Sequence, residues 1–92
     1  MKKRAVILVL GEDKVGIVYN IAKVLYENNI NIEDITQKVL DTKIFTMTML
    51  VDMSKSEISM SDLRRELENV SRQIDVRIDL HHEDLFYSMH RI

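Results

Sequence analysis

The stretch Gly11-Glu12-Asp13-Lys14-Val15-Gly16-Ile17 is the part of this chain best suited to hold a ligand. An apolar run, residues 4–10, leads into it and an amphipathic run follows. The sequence therefore predicts a strand that turns at a glycine directly into a helix. The first N–H groups of a helix have no partner within it and carry the positive end of its dipole, so they can receive a carboxylate. Glu12 and Asp13 work against that use, and Lys14 offsets only one of them. An acidic rim suits a ligand's ammonium group, or a hard divalent cation, better than its carboxylate. The same residues also have a reading without any ligand. In that reading Gly11 permits the turn, Asp13 caps the helix and Gly16 allows close packing.

Asn31 and Asp34 come next. Either side chain can hydrogen-bond a zwitterion, and either is also a common turn or bulge residue. The histidines offer less. His81 and His82 are adjacent on a predicted strand, so their rings point to opposite faces. His82 and His90, on one helix, would stand roughly 12 Å apart. No metal site is expected within one chain, although one shared between subunits stays open. Ser, His and Asp are all present without a nucleophile elbow or other recognised spacing, so no catalytic residues are assigned.

The elements that would position these residues follow from periodicity. Residues 4–10 are apolar on both faces, the pattern of a central strand covered on two sides. Over 14–28, Val15, Val18, Ala22 and Leu25 form one stripe with Ile17, Ile21 and Val24 beside it. That width marks a helix pressed into a core. Asn28-Asn29 ends it, because asparagine tolerates the left-handed conformation. From Asn31 to Leu40 the chain is extended, but Ile30 and Ile32 share one parity while Ile35 and Val39 take the other. A bulge near Glu33-Asp34 accounts for the change of phase. Asp41-Thr42-Lys43 reads as a hairpin turn and residues 44–53 as the return strand, with Phe45, Met47, Met49 and Val51 on one face.

Ser59 or Ser61 caps a second helix carrying Leu63, Leu67, Val70 and Ile74, with Arg64, Arg65, Glu66, Glu68 and Arg72 toward solvent. Val76, Ile78 and Leu80 alternate with Arg77, Asp79 and His81 in a strand with one wet face. Leu85, Phe86, Met89 and Ile92 fit a short terminal amphipathic helix within a C-terminal extension, 81–92. The whole of 1–92 is expected to be a single domain of the α+β class: βαββαβ, a four-stranded antiparallel sheet with two helices on one face, plus the C-terminal helix. The apolar residues on both sides of the first strand must then meet either that helix or a second subunit.

Composition narrows the classes of function. Ninety-two residues bury a modest share of their surface, so oligomerisation is expected. A formal net charge of -2 argues against nucleic acid. The fold order is shared with RNA-binding domains, but the stacking aromatics these need are missing: the first strand has none and the third only Phe45. The basic start 1–4 precedes an apolar run too short for a signal peptide or membrane span, and no cysteine is present. The cytoplasm, with no membrane contact and no cofactor, is the expected setting. The six methionines read as adaptable core or interface filler.

Leu10-Gly11-Glu12-Asp13-Lys14-Val15-Gly16-Ile17-Val18, then 22–25, then Asn29-Ile30-Asn31-Ile32-Glu33-Asp34-Ile35-Thr36-Gln37 together resemble the ACT domain, a small ligand-binding regulatory module of amino-acid metabolism. The resemblance is nearest to the small stand-alone, uncharacterised members related to the amino-terminal part of formyltetrahydrofolate deformylase and to glycine-cleavage regulators. The Phe86-Tyr87-Ser88-Met89 region shares it. The resemblance implies a ferredoxin-like fold, a homodimer, and a small ligand, typically an amino acid, near the subunit interface. It places the ligand against Gly11, Glu12, Asp13, Lys14, Val15, Gly16 and Ile17, and against Asn31, Ile32 and Asp34. This chain carries no enzyme and none of the deformylase's catalytic domain, so it is expected to act on a separate enzyme or regulator. A ligand-free interaction module and a divalent-cation-binding protein remain the alternatives.

Overall fold

A computed structural model describes residues 3–89, with the side chain of Met89 left out. The chain order is β1 (Arg4–Glu12), α1 (Ile17–Glu27), β2 (Asn31–Leu40), β3 (Ile44–Asp52), α2 (Met60–Ile74), β4 (Val76–His82) and α3 (Glu83–Met89). The four strands form one sheet in the order β2-β3-β1-β4, and every neighbouring pair is antiparallel. This is the expected ferredoxin-like topology with its additional C-terminal helix. The places proposed for Met89's side chain, His90 and Ile92 lie outside the described residues.

The core forms where alternating strand residues meet the helices. Ala5, Ile7 and Val9 of β1, and Phe45, Met47, Met49 and Val51 of β3, pack against Ile17, Ile21, Val24 and Leu25 of α1 and Leu63, Leu67 and Val70 of α2. Three methionines of this set and its flank, Met47, Met49 and Met53, are buried in that core, where an unbranched thioether fits irregular gaps.

Local chemistry fixes the element ends. Asn29 adopts φ 57°, and Ile30 N–H reaches back to the Leu25 carbonyl at 2.9 Å, so the asparagine pair stops α1 as expected. Ser59 is the cap of α2, its hydroxyl accepting from Asp62 N–H at 3.0 Å. The β2–β3 register shifts between Ile32 and Asp34, the bulge that the change of parity predicts. Asp41 and Thr42 both take positive φ, and Lys43 N–H bonds the Leu40 carbonyl at 3.0 Å, which closes a tight turn within the three-residue connection 41–43.

The first helix differs from expectation. It begins at Ile17, not at residue 14, so Val15 lies outside it and is fully exposed instead of leading the buried stripe. The reason is Gly16: at φ 95° it reverses the chain immediately before the helix, and β1 runs on through Glu12.

The second face of the sheet is covered in part. Val6 points away from the helical core yet is only 3 % exposed. α3 packs on β1 and β4 there, and Arg4 is within 3.8 Å of Glu83 at the start of α3. The Arg4 guanidinium also bonds the bulge residue Glu33 at 2.6 Å, which together with nearby Glu83 and Asp52 holds its pKa above the ordinary arginine value.

Candidate functional site

β1 and β2 run parallel to each other, with β3 antiparallel between them. Gly11 is therefore level with Phe45 and Val39, whereas Asn31 is level with Asp52 and Arg4. The two sequence-derived groups, residues 11–17 and Asn31, Ile32 and Asp34, lie toward opposite ends of the same sheet. Eight residues of strand separate Asn31 from Val39, about 25 Å. One chain does not bring the two groups together.

Each group has a depression beside it. At the Gly11 end, Glu12 and Asp13 face the hairpin residues Thr42, Lys43 and Ile44 across about 550 Å³. Asp13 N–H bonds the Lys43 carbonyl at 2.7 Å and fixes that spacing. Thr42, a β-branched residue at φ 60°, forms part of the wall in a strained conformation. At the other end, Asn31 lines about 350 Å³ with Tyr26, Asn29, Ile30, Asp52, Ser54 and Lys55. Spacing does not mark the hairpin 42–44 or the Tyr26, Asp52 and Lys55 group as lining residues. Pairing the predicted hairpin against the end of β1 was the available signal for the first group. The second group is joined only by folding.

The glycines exchange the roles expected of them. Gly11 is not a turn residue. It sits within β1, opposite Val76, and a β-carbon there would lie 2.7 Å from Val76 Cγ1. Gly16 is the conformational glycine and the N-cap of α1. Gly11→Ala should cost about 1–3 kcal/mol through overpacking. Gly16→Ala should cost about 1–2 kcal/mol through backbone strain. In urea unfolding, relief of the Gly11→Ala loss by a Val76→Ala second change, with no relief for Gly16→Ala, checks both assignments.

Asp13 does not cap α1: no side-chain cap bond is made at its N-cap, Gly16, whose carbonyl instead accepts from the Asn20 side-chain amide at 2.6 Å, and no acidic residue stands in the first turn. The N–H groups of that turn are free of the side-chain cap that the ligand-free reading required. Lys14 is committed elsewhere. Its ammonium donates to the Ile74 carbonyl at 2.8 Å and the Asp75 carbonyl at 3.4 Å, stabilising the C-terminal end of α2. Lys14→Met should therefore lower stability by about 0.5–1 kcal/mol, measured by denaturant unfolding.

His81 pairs with Val6 and His82 with Ala5, so the two rings occupy opposite faces. Among the described residues no group of three or more His, Asp or Glu side chains is placed to hold a metal ion, and no helix is long and apolar enough to cross a membrane.

The two edges of the sheet are unequal. On β4, the Leu80 carbonyl accepts from the Arg64 guanidinium at 2.9 Å and the Val76 carbonyl from the Ser71 hydroxyl, so α2 blocks that edge. β2 is exposed from Asp34 to Leu40, and Ile35 and Val39 remain 42 % and 48 % exposed although they are level with core residues of β3.

The profile of a family described as the ACT domain matches residues 3–81. A UPF0237 protein of Methanocaldococcus jannaschii is 46 % identical over 89 residues, covering 97 % of this chain and 98 % of its own. An ACT domain protein from Streptococcus pneumoniae superposes with a TM-score of 0.80 at 35 % identity, over 94 % of this chain and 96 % of that one. A formyltetrahydrofolate deformylase from Burkholderia mallei superposes with a TM-score of 0.79 at 16 % identity, over 87 % of this chain and 28 % of that one; this likeness concerns the fold.

Proposed function

The chain belongs to the ACT domain family, and on that premise we propose that it is a non-catalytic, amino-acid-binding regulatory protein whose sites are each completed by two copies of the chain. The observation that carries this reading is the separation of the two candidate groups to opposite ends of a sheet whose β2 edge is bare. A two-fold axis across β2 reverses the strand. Centred on Thr36, it sets Asp34 opposite Lys38 of the second copy and Lys38 opposite Asp34, two favourable cross-strand charge pairs. The same register brings Asn31 of one copy alongside Asp41 of the other. The Asn31 depression then adjoins the hairpin that walls the Gly11 depression, and the halves converge.

The ligand's carboxylate is assigned to the uncapped first turn of α1, at Gly16 and Ile17. Its ammonium is assigned to Asn31 and Asp34 of the second copy, with Glu12 and Asp13 supplying an acidic rim. Gly11 and Lys14 support the site through packing and not through contact. The controlled partner is a separate enzyme or regulator, and the cytoplasm is the proposed setting. Calorimetric titration of the purified protein with the twenty amino acids tests the ligand class. Saturable heat with one or a few small amino acids is expected; no heat with any of them, serine and glycine included, rejects an amino-acid ligand.

A further inference from the structure

Arg4 joins two elements that do not pack on each other, the bulge of β2 and the first turn of α3. It alternates with Ala5, Ile7 and Val9, so it stands on the sheet face opposite α1 and α2. Asp52 of β3 is level with it, and Asn31 of β2 is level with Asp52. The guanidinium reaches past β3 to Glu33, Nε donating to Oε1 at 2.6 Å. Glu33 is the residue that the bulge adds: the pairing passes from Ile32–Val51 to Asp34–Leu50 without it. On its other side Arg4 Nη1 lies 3.8 Å from Glu83 Oε2. One cation therefore serves two carboxylates, one closely and one at the outer limit of an ion pair.

The inequality matters because α3 is weakly seated. Seven residues are too few for a helix to hold by itself in water, so α3 depends on what it packs against. It lies over Val6, but its Leu85 and Tyr87 stay exposed. Its contact with Arg4 is therefore a sizeable part of its anchorage. The Glu33 and Glu83 side chains are only 16 % and 23 % exposed, so water and salt screen neither pair fully. Asp52, the other carboxylate beside Arg4, already accepts from Ser54 N–H at 2.9 Å in the loop after β3. A guanidinium released from Glu33 is drawn to Glu83.

We propose that Arg4 is a switch between these two carboxylates: a cation arriving at the bulge draws Glu33 away, and Arg4 moves onto Glu83 and tightens α3 against the sheet. Two cations that share one carboxylate each hold it less firmly than one alone, because they repel each other. Resting on the reading given above, the arriving cation is the ligand's ammonium at Asn31 and Asp34, which flank Glu33 in the chain. α3 is then the element whose seating reports an occupied site. A purely structural ion pair behaves in the opposite way. There Glu33 holds Arg4 in place for Glu83, and loss of Glu33 loosens α3.

The test follows amide hydrogen exchange of residues 83–89 in the intact chain. Glu33→Gln imitates a carboxylate withdrawn from Arg4 and should slow that exchange about threefold, with unchanged far-ultraviolet circular dichroism. Glu83→Gln should speed it by a similar factor, and in the double variant the slowing should vanish. Faster or unchanged exchange in Glu33→Gln, or slowing that survives Glu83→Gln, overturns the switch. These arms use no ligand, so they decide the switch whether or not an amino acid binds. A second measurement adds a mixture of the twenty amino acids. Exchange at 83–89 should slow by about the same factor in the native chain and stay unchanged in Arg4→Met. Calorimetric heat from that mixture without slowing at 83–89 overturns the coupling and leaves amino-acid binding standing. Absence of heat rejects amino-acid binding and with it this trigger, while the ligand-free arms still decide the switch itself.

Discussion

A one-to-one mixture of Gly16→Ala and Asn31→Ala chains, unfolded and refolded together, should bind amino acid that neither variant binds alone. Gly16 holds φ 95° at the N-cap of α1, and an alanine there shifts the first-turn N–H groups assigned to the carboxylate. Asn31→Ala removes a partner of the ammonium at the opposite end of the sheet. Leaving a desolvated ligand group unpaired costs about 1–3 kcal/mol, so each variant alone should lose roughly 10- to 100-fold in affinity. In a mixed pair the two lesions fall on one site and leave the other intact. Random reassociation should therefore restore about a quarter of the sites. Titration calorimetry reads both the affinity and the stoichiometry. A mixture that binds no better than its components shows that each site lies within one chain.

Val39→Lys should abolish amino-acid uptake while leaving each chain folded. Val39 is 48 % exposed on the edge strand, so the substitution removes little from the core, and surface changes of this kind usually stay within about 0.5 kcal/mol. A lysine on a strand edge disfavours addition of another strand, because its charge would be buried against the incoming chain. The mass of the native assembly should halve in sedimentation, with the melting transition of the remaining species still cooperative. The binding loss tests the shared site and the mass tests its geometry. Retained mass with retained binding places the pairing of chains elsewhere on the surface. Retained mass with lost binding leaves Val39 as a ligand-side residue and rejects edge pairing.

Several features of the fold were legible because short-range sterics dictate them. Asn28-Asn29 stops α1 since an asparagine accepts positive φ, and Ser59 caps α2 since its hydroxyl reaches one orphan N–H three residues on. The bulge was visible because strand side chains alternate with period two, so the phase change from Ile32 to Ile35 needs an extra residue. Spacing alone extends the first helix back to residue 14, because Val15 is in step with Val18 and Ala22. Periodicity cannot register that Gly16 breaks the chain direction between them. The roles of the two glycines are hidden from local sequence for a related reason. Whether a glycine serves conformation or packing depends on what stands beside it, and Val76 lies 65 positions from Gly11 in the chain.

By itself the sequence determined the order of elements, the two-faced sheet, the family and the candidate ligand groups, because residue type and periodicity act over a few positions. Only the tertiary structure decided that Lys14 is turned to the end of α2, that Asp13 leaves the first turn of α1 uncapped, and that one edge of the sheet is blocked while the other is bare. It also decided that Gly11–Gly16 and Asn31–Asp34 stand toward opposite ends. Two parallel strands separated by an antiparallel one put the end of β1 level with the end of β2, whatever their sequences contain. The residues that the sequence offers as one candidate site stand in space as two separate groups.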